Sequence, residues 1–131
     1  MRLLTHNFLK SNVRNTTKGY PLVIEARRII YEESALDATM VKKLCSKIDY
    51  EVLVGALTHL RNSNVDIDFG WPTIPGSLGE EQNMDEEVIE MLHKVLFDIH
   101  VLDGDLVCPD TGRKFPIRDG IPNMVLHEDE I

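Results

Sequence analysis

Apolar residues in the middle of the chain recur at helical spacing. In 36–48 they lie at offsets of four and one, which gives one apolar stripe and predicts a first helix. Ser34 and Asp37 resemble a capping box at the start of this helix. Asp49 is a candidate N-cap for a second helix, whose apolar stripe continues to the polar run that begins at Asn62. The two helices are therefore predicted to follow each other closely.

A third amphipathic helix is predicted from Asp85 to His100. Its apolar positions form a stripe wide enough to be buried on more than one side. The segment before it, 62–84, is polar and is interrupted by glycine and proline residues. Such a segment is too long and too broken for a regular element, so it predicts a long loop.

Both ends of the chain carry β-strand signals. The segment 20–26 is rich in strand-forming residues and follows a turn-forming stretch. In the tail, Asp103 and Gly104 lie between apolar residues and predict a hairpin turn. Further strands are predicted at 113–118 and 121–126.

These elements together predict an α+β fold. Residues 1–32 and 100–131 are expected to form a small lobe with an antiparallel sheet, and 33–99 an inserted helical lobe. Pro116 and Pro122 lack a backbone N–H, so their strands should lie at an edge or begin at the proline.

Charge is distributed unevenly along the chain. Its 131 residues carry a net charge of −8, which argues against a stand-alone nucleic-acid binder. Residues 1–30 nevertheless hold six basic residues and one acidic residue. Basic side chains from the two ends would form a positive patch if the termini meet: Arg2, Lys10, Arg14, Lys18, Arg113, Lys114 and Arg118. The same basic residues could also be ordinary solvent-exposed side chains with no binding role.

The expected environment is intracellular. The chain has two cysteines, Cys45 and Cys108, in no arrangement typical of a secreted disulfide scaffold. No apolar run approaches the ~20 residues needed to span a bilayer, and the N-terminal residues lack a secretory signal. A chain of this length can also bury a core without disulfide bonds.

Few residues suggest catalysis. The histidines show no recognisable spacing, and no glycine-rich nucleotide-binding loop is present. Cys108 is a candidate reactive thiol, so a small thiol enzyme is one alternative. The segment 108–112 has the sequence of a zinc knuckle, except that Thr111 replaces the second cysteine. A neutral hydroxyl is a poor zinc ligand.

Three blocks of the sequence resemble the multifunctional methyltransferase subunit family. They are Met1-Arg-Leu-Leu-Thr-His-Asn-Phe-Leu, Tyr20-Pro-Leu, and the ending from Leu106 to Leu126, which contains Gly-Ile-Pro-Asn-Met. The resemblance covers the whole chain. It implies a non-catalytic subunit that activates and stabilises several S-adenosylmethionine-dependent methyltransferases acting on tRNA, rRNA and a translation release factor.

The resemblance also implies a zinc site in those members that carry four cysteines. The matching positions here are Ser11, Thr16, Cys108 and Thr111, so one thiol remains. We therefore expect a zinc-ribbon-like but metal-free lobe. No cofactor is expected, since the resemblance implies that S-adenosylmethionine is bound only by the partner.

The expected partners are class I methyltransferase catalytic subunits, as heterodimers that share one surface of this chain. Nucleic acid is expected to be contacted only indirectly, and a membrane not at all. The resemblance implies that the partner's sheet is continued by main-chain pairing. It also implies a cytoplasmic and nuclear location. A second alternative, besides the thiol enzyme, is a metal-free knuckle adaptor that contacts RNA or the translation machinery.

Candidate contact residues follow from this pairing. They are Thr5, Asn7, Phe8, Phe115, Ile117, Ile121, Pro122, Asn123 and Met124. Phe8, Phe115 and Ile117 would equally suit the core of a small lobe. Asn123 and Met124 are better suited to a contact, since an asparagine amide needs a partner and methionine adapts to varied surfaces.

Overall fold

The computed structural model describes residues 1–78 and 85–131. Within these residues, the regular structure consists of four α-helices, one π-turn, one 3₁₀ turn and four strands. In chain order they are α1 (Leu3–Phe8), β1 (Val23–Tyr31), α2 (Ala38–Cys45), α3 (Tyr50–Asn62), α4 (Glu86–His93), the π-turn (Lys94–Asp98), β2 (Ile99–Val107), β3 (Lys114–Arg118), β4 (Ile121–Pro122) and a 3₁₀ turn (Glu128–Glu130).

The four strands form one antiparallel sheet in the order β1-β2-β3-β4. In its register, Ile24 lies opposite Leu106, and Leu106 lies opposite Phe115. These three side chains are buried, so this face of the sheet lies against the core. The predicted α+β class, with an antiparallel sheet built from both ends of the chain, is confirmed.

The predicted hairpin at Asp103-Gly104 is wrong. Both residues lie inside β2, which runs without a turn from Ile99 to Val107. A side chain at position 104 would place its Cβ 2.4 Å from the carbonyl oxygen of Glu25 on β1. Glycine is therefore needed for the close approach of the two strands and not for a turn.

The third predicted helix ends earlier than expected. The α-helix stops at His93, a π-turn follows, and β2 begins at Ile99. Asp98 at the end of the π-turn is buried, and its carboxylate accepts hydrogen bonds from the backbone N–H and the hydroxyl of Ser34. These bonds fix the chain at the point where it changes from helix to strand.

The caps of the two middle helices agree in part with the sequence. Asp49 caps α3 by accepting a hydrogen bond from the backbone N–H of Val52 (3.3 Å). Helix α2, which the sequence predicted over 36–48, begins later than predicted. Asp37 is its N-cap and accepts a hydrogen bond from the backbone N–H of Met40 (3.0 Å). Ser34 takes no part in a capping box.

The predicted loop 62–84 has no helix or strand in its described part after α3, and 79–84 lie outside the described residues. Apolar side chains from this part pack on the core. Phe69 contacts both Tyr31 and Trp71, with ring centroids 5.5 and 5.3 Å apart. The described part of this segment therefore packs against the core without regular secondary structure.

One set of buried side chains runs through the molecule. It includes Leu3 and Leu106 from the ends of the chain, and Leu53 and Leu92 from the middle. The division into lobes 1–32 with 100–131, and 33–99, stays a prediction. No helix among the described residues is long and apolar enough to cross a membrane.

Candidate functional site

Strand β4 is shorter than predicted, but the residues after it keep the alternating exposure of a strand. Regular pairing with β3 covers only Ile121–Pro122, not 121–126. Exposure then alternates through residue 127, with the odd-numbered residues outward and the even-numbered ones half-buried. Ile121 and Val125 point outward, with 70% and 75% of their surface exposed. We call residues 121–127 the edge segment.

The backbone of the edge segment is bonded unequally. The N–H of Asn123 donates to the carbonyl of Pro116 on β3 (2.9 Å). The N–H of Val125 donates to the side-chain oxygen of Asn123 (3.0 Å). The N–H groups of Met124 and Leu126 have no hydrogen-bond partner among residues 1–78 and 85–131. Alternate unpaired N–H groups are what a partner strand needs.

The end of the edge segment is held by Glu130. Its carboxylate accepts two hydrogen bonds from the guanidinium of Arg113 (2.6 and 3.1 Å) and one from the N–H of His127 (2.9 Å). The carbonyl of Glu130 accepts from the N–H of Arg14 (2.6 Å). Hydrogen bonds from Arg113, then from His127, lower the pKa of Glu130 to about 2. The edge segment is therefore fixed at both ends.

Three predicted contact residues belong to the interior. Phe115 and Ile117 are fully buried on the inner face of β3, so their side chains are core and not contact surface. Asn7 is also buried, and its amide exchanges two hydrogen bonds with the backbone of Asp49 (2.8 and 2.9 Å). This pair joins α1 to the start of α3, which satisfies the amide without a partner protein.

The remaining candidates lie at the surface or near it. Thr5 and Phe8 are exposed on α1, a helix that the sequence did not predict. Pro122 and Met124 are half-buried, and Met124 packs against the core. The side-chain oxygen of Asn123 accepts a hydrogen bond from the N–H of Val125.

Sequence reasoning did not single out Val125. Its outward position follows from the period-two pattern that starts at Ile121, and that pattern was the available signal.

The four knuckle positions meet at one corner of the sheet. The side-chain oxygen of Thr16 lies 3.9 Å from the Cys108 sulfur, and the N–H of Thr111 donates to that sulfur at 3.5 Å. Burial raises the pKa of the Cys108 thiol, but hydrogen bonds from Ser11 and Thr111 and from nearby backbone outweigh burial and lower the pKa to about 7.

This donor set does not suit zinc. A structural zinc site takes four charged or strongly donating ligands, whereas one thiol and the hydroxyls of Ser11, Thr16 and Thr111 meet here. Within the described ranges, no group of three or more His, Cys, Asp and Glu side chains is placed to hold a metal ion. The corner is joined instead by Asp110, whose carboxylate accepts from the N–H (2.6 Å) and the hydroxyl (3.0 Å) of Thr17.

The predicted positive patch is partly neutralised. Arg113 is paired with Glu130, and Lys114 lies 3.3 Å from the carboxylate of Glu25. Arg2 lies over the ring of Phe97, 5.8 Å from its centroid. Several basic residues of the two ends are therefore engaged in contacts within the chain.

Comparison with known proteins gives a consistent result. A family model described as "Trm112p: Trm112p-like protein" matches residues 2–120. "Multifunctional methyltransferase subunit TRM112 homolog A" of Arabidopsis thaliana is 38% identical over 133 residues, covering 100% of both chains. "Multifunctional methyltransferase subunit TRM112-like protein" of Mus musculus is 36% identical over 131 residues, covering 99% of this chain and 98% of the relative.

A similar fold occurs in a solved structure. It is that of the E. cuniculi Mtq2-Trm112 complex, described as responsible for methylation of the eRF1 translation termination factor. The match has a TM-score of 0.54 and 18% identity, and it covers 95% of each chain. Since the family model and the relatives span nearly the whole sequence, the chain belongs to the Trm112p-like protein family.

Proposed function

We propose that this chain is a non-catalytic subunit that activates and stabilises several S-adenosylmethionine-dependent methyltransferases, acting on tRNA, rRNA and a translation release factor. Relatives from a plant and a mammal are named multifunctional methyltransferase subunits, and they cover essentially the full chain. The E. cuniculi protein of similar fold comes from a complex with Mtq2. These relationships support the role of a partner subunit that binds a catalytic chain.

The edge segment is the observation that carries the proposal. A strand of the catalytic subunit would accept its hydrogen bonds from Met124 and Leu126, whose N–H groups have no partner among the described residues. Ile121 and Val125 would be buried at the same time, which adds the apolar contribution that main-chain pairing lacks. All partners would use the same backbone groups, and this explains how one chain serves several enzymes.

Pre-organisation strengthens such an edge. The Arg113–Glu130 pair and the bond from Asn123 to Pro116 already hold the segment extended in the free chain. Binding then costs less conformational entropy than ordering a free tail would. In return, the bound chain covers apolar surface on the catalytic subunit, which keeps that subunit soluble and folded.

The thiol-enzyme alternative has little support from Cys108. Its sulfur is buried, and the groups bonded to it are hydroxyls and backbone N–H groups. A nucleophilic cysteine needs a neighbouring base and access for substrate. The RNA-adaptor alternative is weakened by the pairing of Arg113 and Lys114 within the chain.

The proposal extends to cofactors and location. We expect the chain to require no zinc, because the hydroxyls of Ser11, Thr16 and Thr111 are poor ligands. S-adenosylmethionine would bind only to the catalytic subunit. We also propose a cytoplasmic and nuclear location.

Co-purification tests the function directly. Tagged chain is expressed in its own cells, purified, and the bound proteins are identified by mass spectrometry. Several methyltransferases should be recovered, each more soluble and more active with the chain than without it, while the isolated chain should give no heat with S-adenosylmethionine in calorimetry. Recovery of no methyltransferase, or saturable binding of the cofactor by the chain alone, would refute the proposal. Elemental analysis that returns one zinc per chain would refute the metal-free part.

A further inference from the structure

A pocket lies away from the edge segment, between α1, the turn before β1 and one side of α3. Its volume is about 470 Å³, which falls in the usual range of ligand sites. The residues that line it combine apolar walls with titratable groups: His6, Tyr20, Pro21, Asp49, Glu51, Val52, Gly55 and His59. No residue of the edge segment or of the four knuckle positions lines this pocket.

Gly55 keeps one wall of the pocket open. It lies in the middle of α3, where glycine is less favourable than alanine. A Cβ built at this position meets no atom within 4 Å, so close packing does not require glycine. The missing side chain instead leaves space beside the helix, and a larger residue at 55 would fill that space.

Two neutral histidines supply part of the polar lining. His6 Nε2 donates to the carbonyl of Leu22 (2.7 Å), and its Nδ1 is fully buried with no partner among the described residues. His59 Nδ1 accepts from the N–H of Ile24 (3.4 Å), so its Nε2 carries the proton. Burial is the largest influence on both rings and lowers the pKa of each, so neither carries a charge near neutral pH.

The charge of the pocket is negative. Asp49 and Glu51 supply carboxylates, and no lysine or arginine lines the pocket within the part of the chain that the structure describes. The hydroxyl of Tyr20 is occupied by its bond to the carbonyl of Asn7 (2.7 Å), which fixes the phenol ring as a wall. With Val52, this ring gives an apolar surface next to the two acidic groups.

We propose that this pocket binds an arginine side chain presented by a partner protein. Its aliphatic stem suits the apolar wall of Val52 and Gly55, and its planar guanidinium can stack on the ring of Tyr20. The guanidinium N–H groups donate to the carboxylates of Asp49 and Glu51. An anionic ligand would be repelled by the same carboxylates. The inference does not depend on the edge segment, because none of its residues lines the pocket.

The experiment is an NMR titration of the free, isotope-labelled chain. The probe is acetyl-Gly-Arg-Gly-amide, and the matched peptide carries citrulline, which has the same shape without the charge. Saturable shifts at pocket residues such as Gly55 and His59 are expected with arginine, and at least tenfold weaker binding with citrulline. Equal binding of the two peptides, or no saturation with arginine, would overturn the proposal.

Variants locate the binding. Gly55→Leu should fill the pocket and abolish the shifts, while Gly76→Leu, at another glycine with open space around it, should leave them unchanged. Glu51→Gln changes one exposed side chain without altering its size, so it stays informative if Gly55→Leu does not fold, and it should weaken binding several-fold. Unchanged binding in Gly55→Leu or Glu51→Gln contradicts the assignment. Tighter binding of agmatine, a free alkylguanidine, than of the arginine peptide would contradict the assignment to a partner protein.

Discussion

A charge at Val125 is the sharpest test of the edge segment. The side chain is 75% exposed, so Val125→Asp should change the free energy of unfolding of the free chain by no more than about 0.5 kcal/mol. Burying a whole valine gains about 1.5–3 kcal/mol, and roughly three quarters of that remains to be gained on docking. An unpaired carboxylate in the interface adds a desolvation cost of about 1–3 kcal/mol or more. Together the complexes should weaken by about 2–5 kcal/mol, which is at least about thirtyfold in Kd.

The assay is calorimetric titration of each variant chain into a purified methyltransferase partner, with circular dichroism to check folding. Met40→Asp is the matched control, because it places the same charge on an apolar residue that is 48% exposed on α2. Met124→Asp is a weaker test, since Met124 packs on the core and its substitution should destabilise the free chain. The edge model fails if Val125→Asp binds like the wild type, or if Met40→Asp weakens binding equally.

Four further outcomes are expected. Because hydrogen bonds from Arg113 hold the pKa of Glu130 at about 2, the stability that wild type gains over Glu130→Gln should be complete above pH 4.5 and lost as the pH falls toward 2, measured by urea unfolding. Phe115→Ala should cost about 3–5 kcal/mol in the same assay, because the side chain is fully buried. Gly55→Ala should raise the free energy of unfolding by about 1 kcal/mol, since it replaces glycine inside a helix where space is open. The Cys108 thiol should titrate near pH 7, measured as the ultraviolet thiolate absorbance of the wild type minus that of Cys108→Ser. A midpoint near pH 9 would show that the hydrogen bonds to the sulfur are absent in solution.

Local signals in the sequence predicted the parts of the fold that depend on local chemistry. Asp49 caps α3 because its side chain is short and reaches the N–H of Val52, a contact between residues three positions apart. The amphipathic stripes placed α2, α3 and α4 for the same reason, since a helix needs only neighbouring residues to form. The boundary at Ile99 was missed because the buried carboxylate of Asp98 decides it, through bonds to the distant Ser34.

Contacts between distant residues explain the other errors. The Asp103-Gly104 pair is typical of a hairpin turn. In the structure, glycine is needed at 104 because the carbonyl of Glu25 on the neighbouring strand leaves no room for a side chain. Alternation along β3 showed that Phe115 and Ile117 share a face, yet it did not show which face meets the core. For the proposed contact surface, the sequence predicted the segment 121–126. Period two within that segment places Val125 outward and Met124 inward.

The knuckle corner shows how this chain keeps the shape of a metal site without its chemistry. Four thiolates around zinc, each about 2.3 Å from the metal, would lie about 3.8 Å apart. The oxygen of Thr16 lies 3.9 Å from the sulfur of Cys108, so this pair keeps the spacing of two zinc ligands although the hydroxyl carries no charge. A zinc ion in such a corner would join the loop that contains Thr16 to the loop that contains Cys108. Here Asp110 joins the same two loops by accepting hydrogen bonds from Thr17. Since β3 follows the knuckle directly and the edge segment begins by pairing with β3, the hydrogen bonds from Thr17 to Asp110 help to hold the proposed partner surface on the rest of the fold.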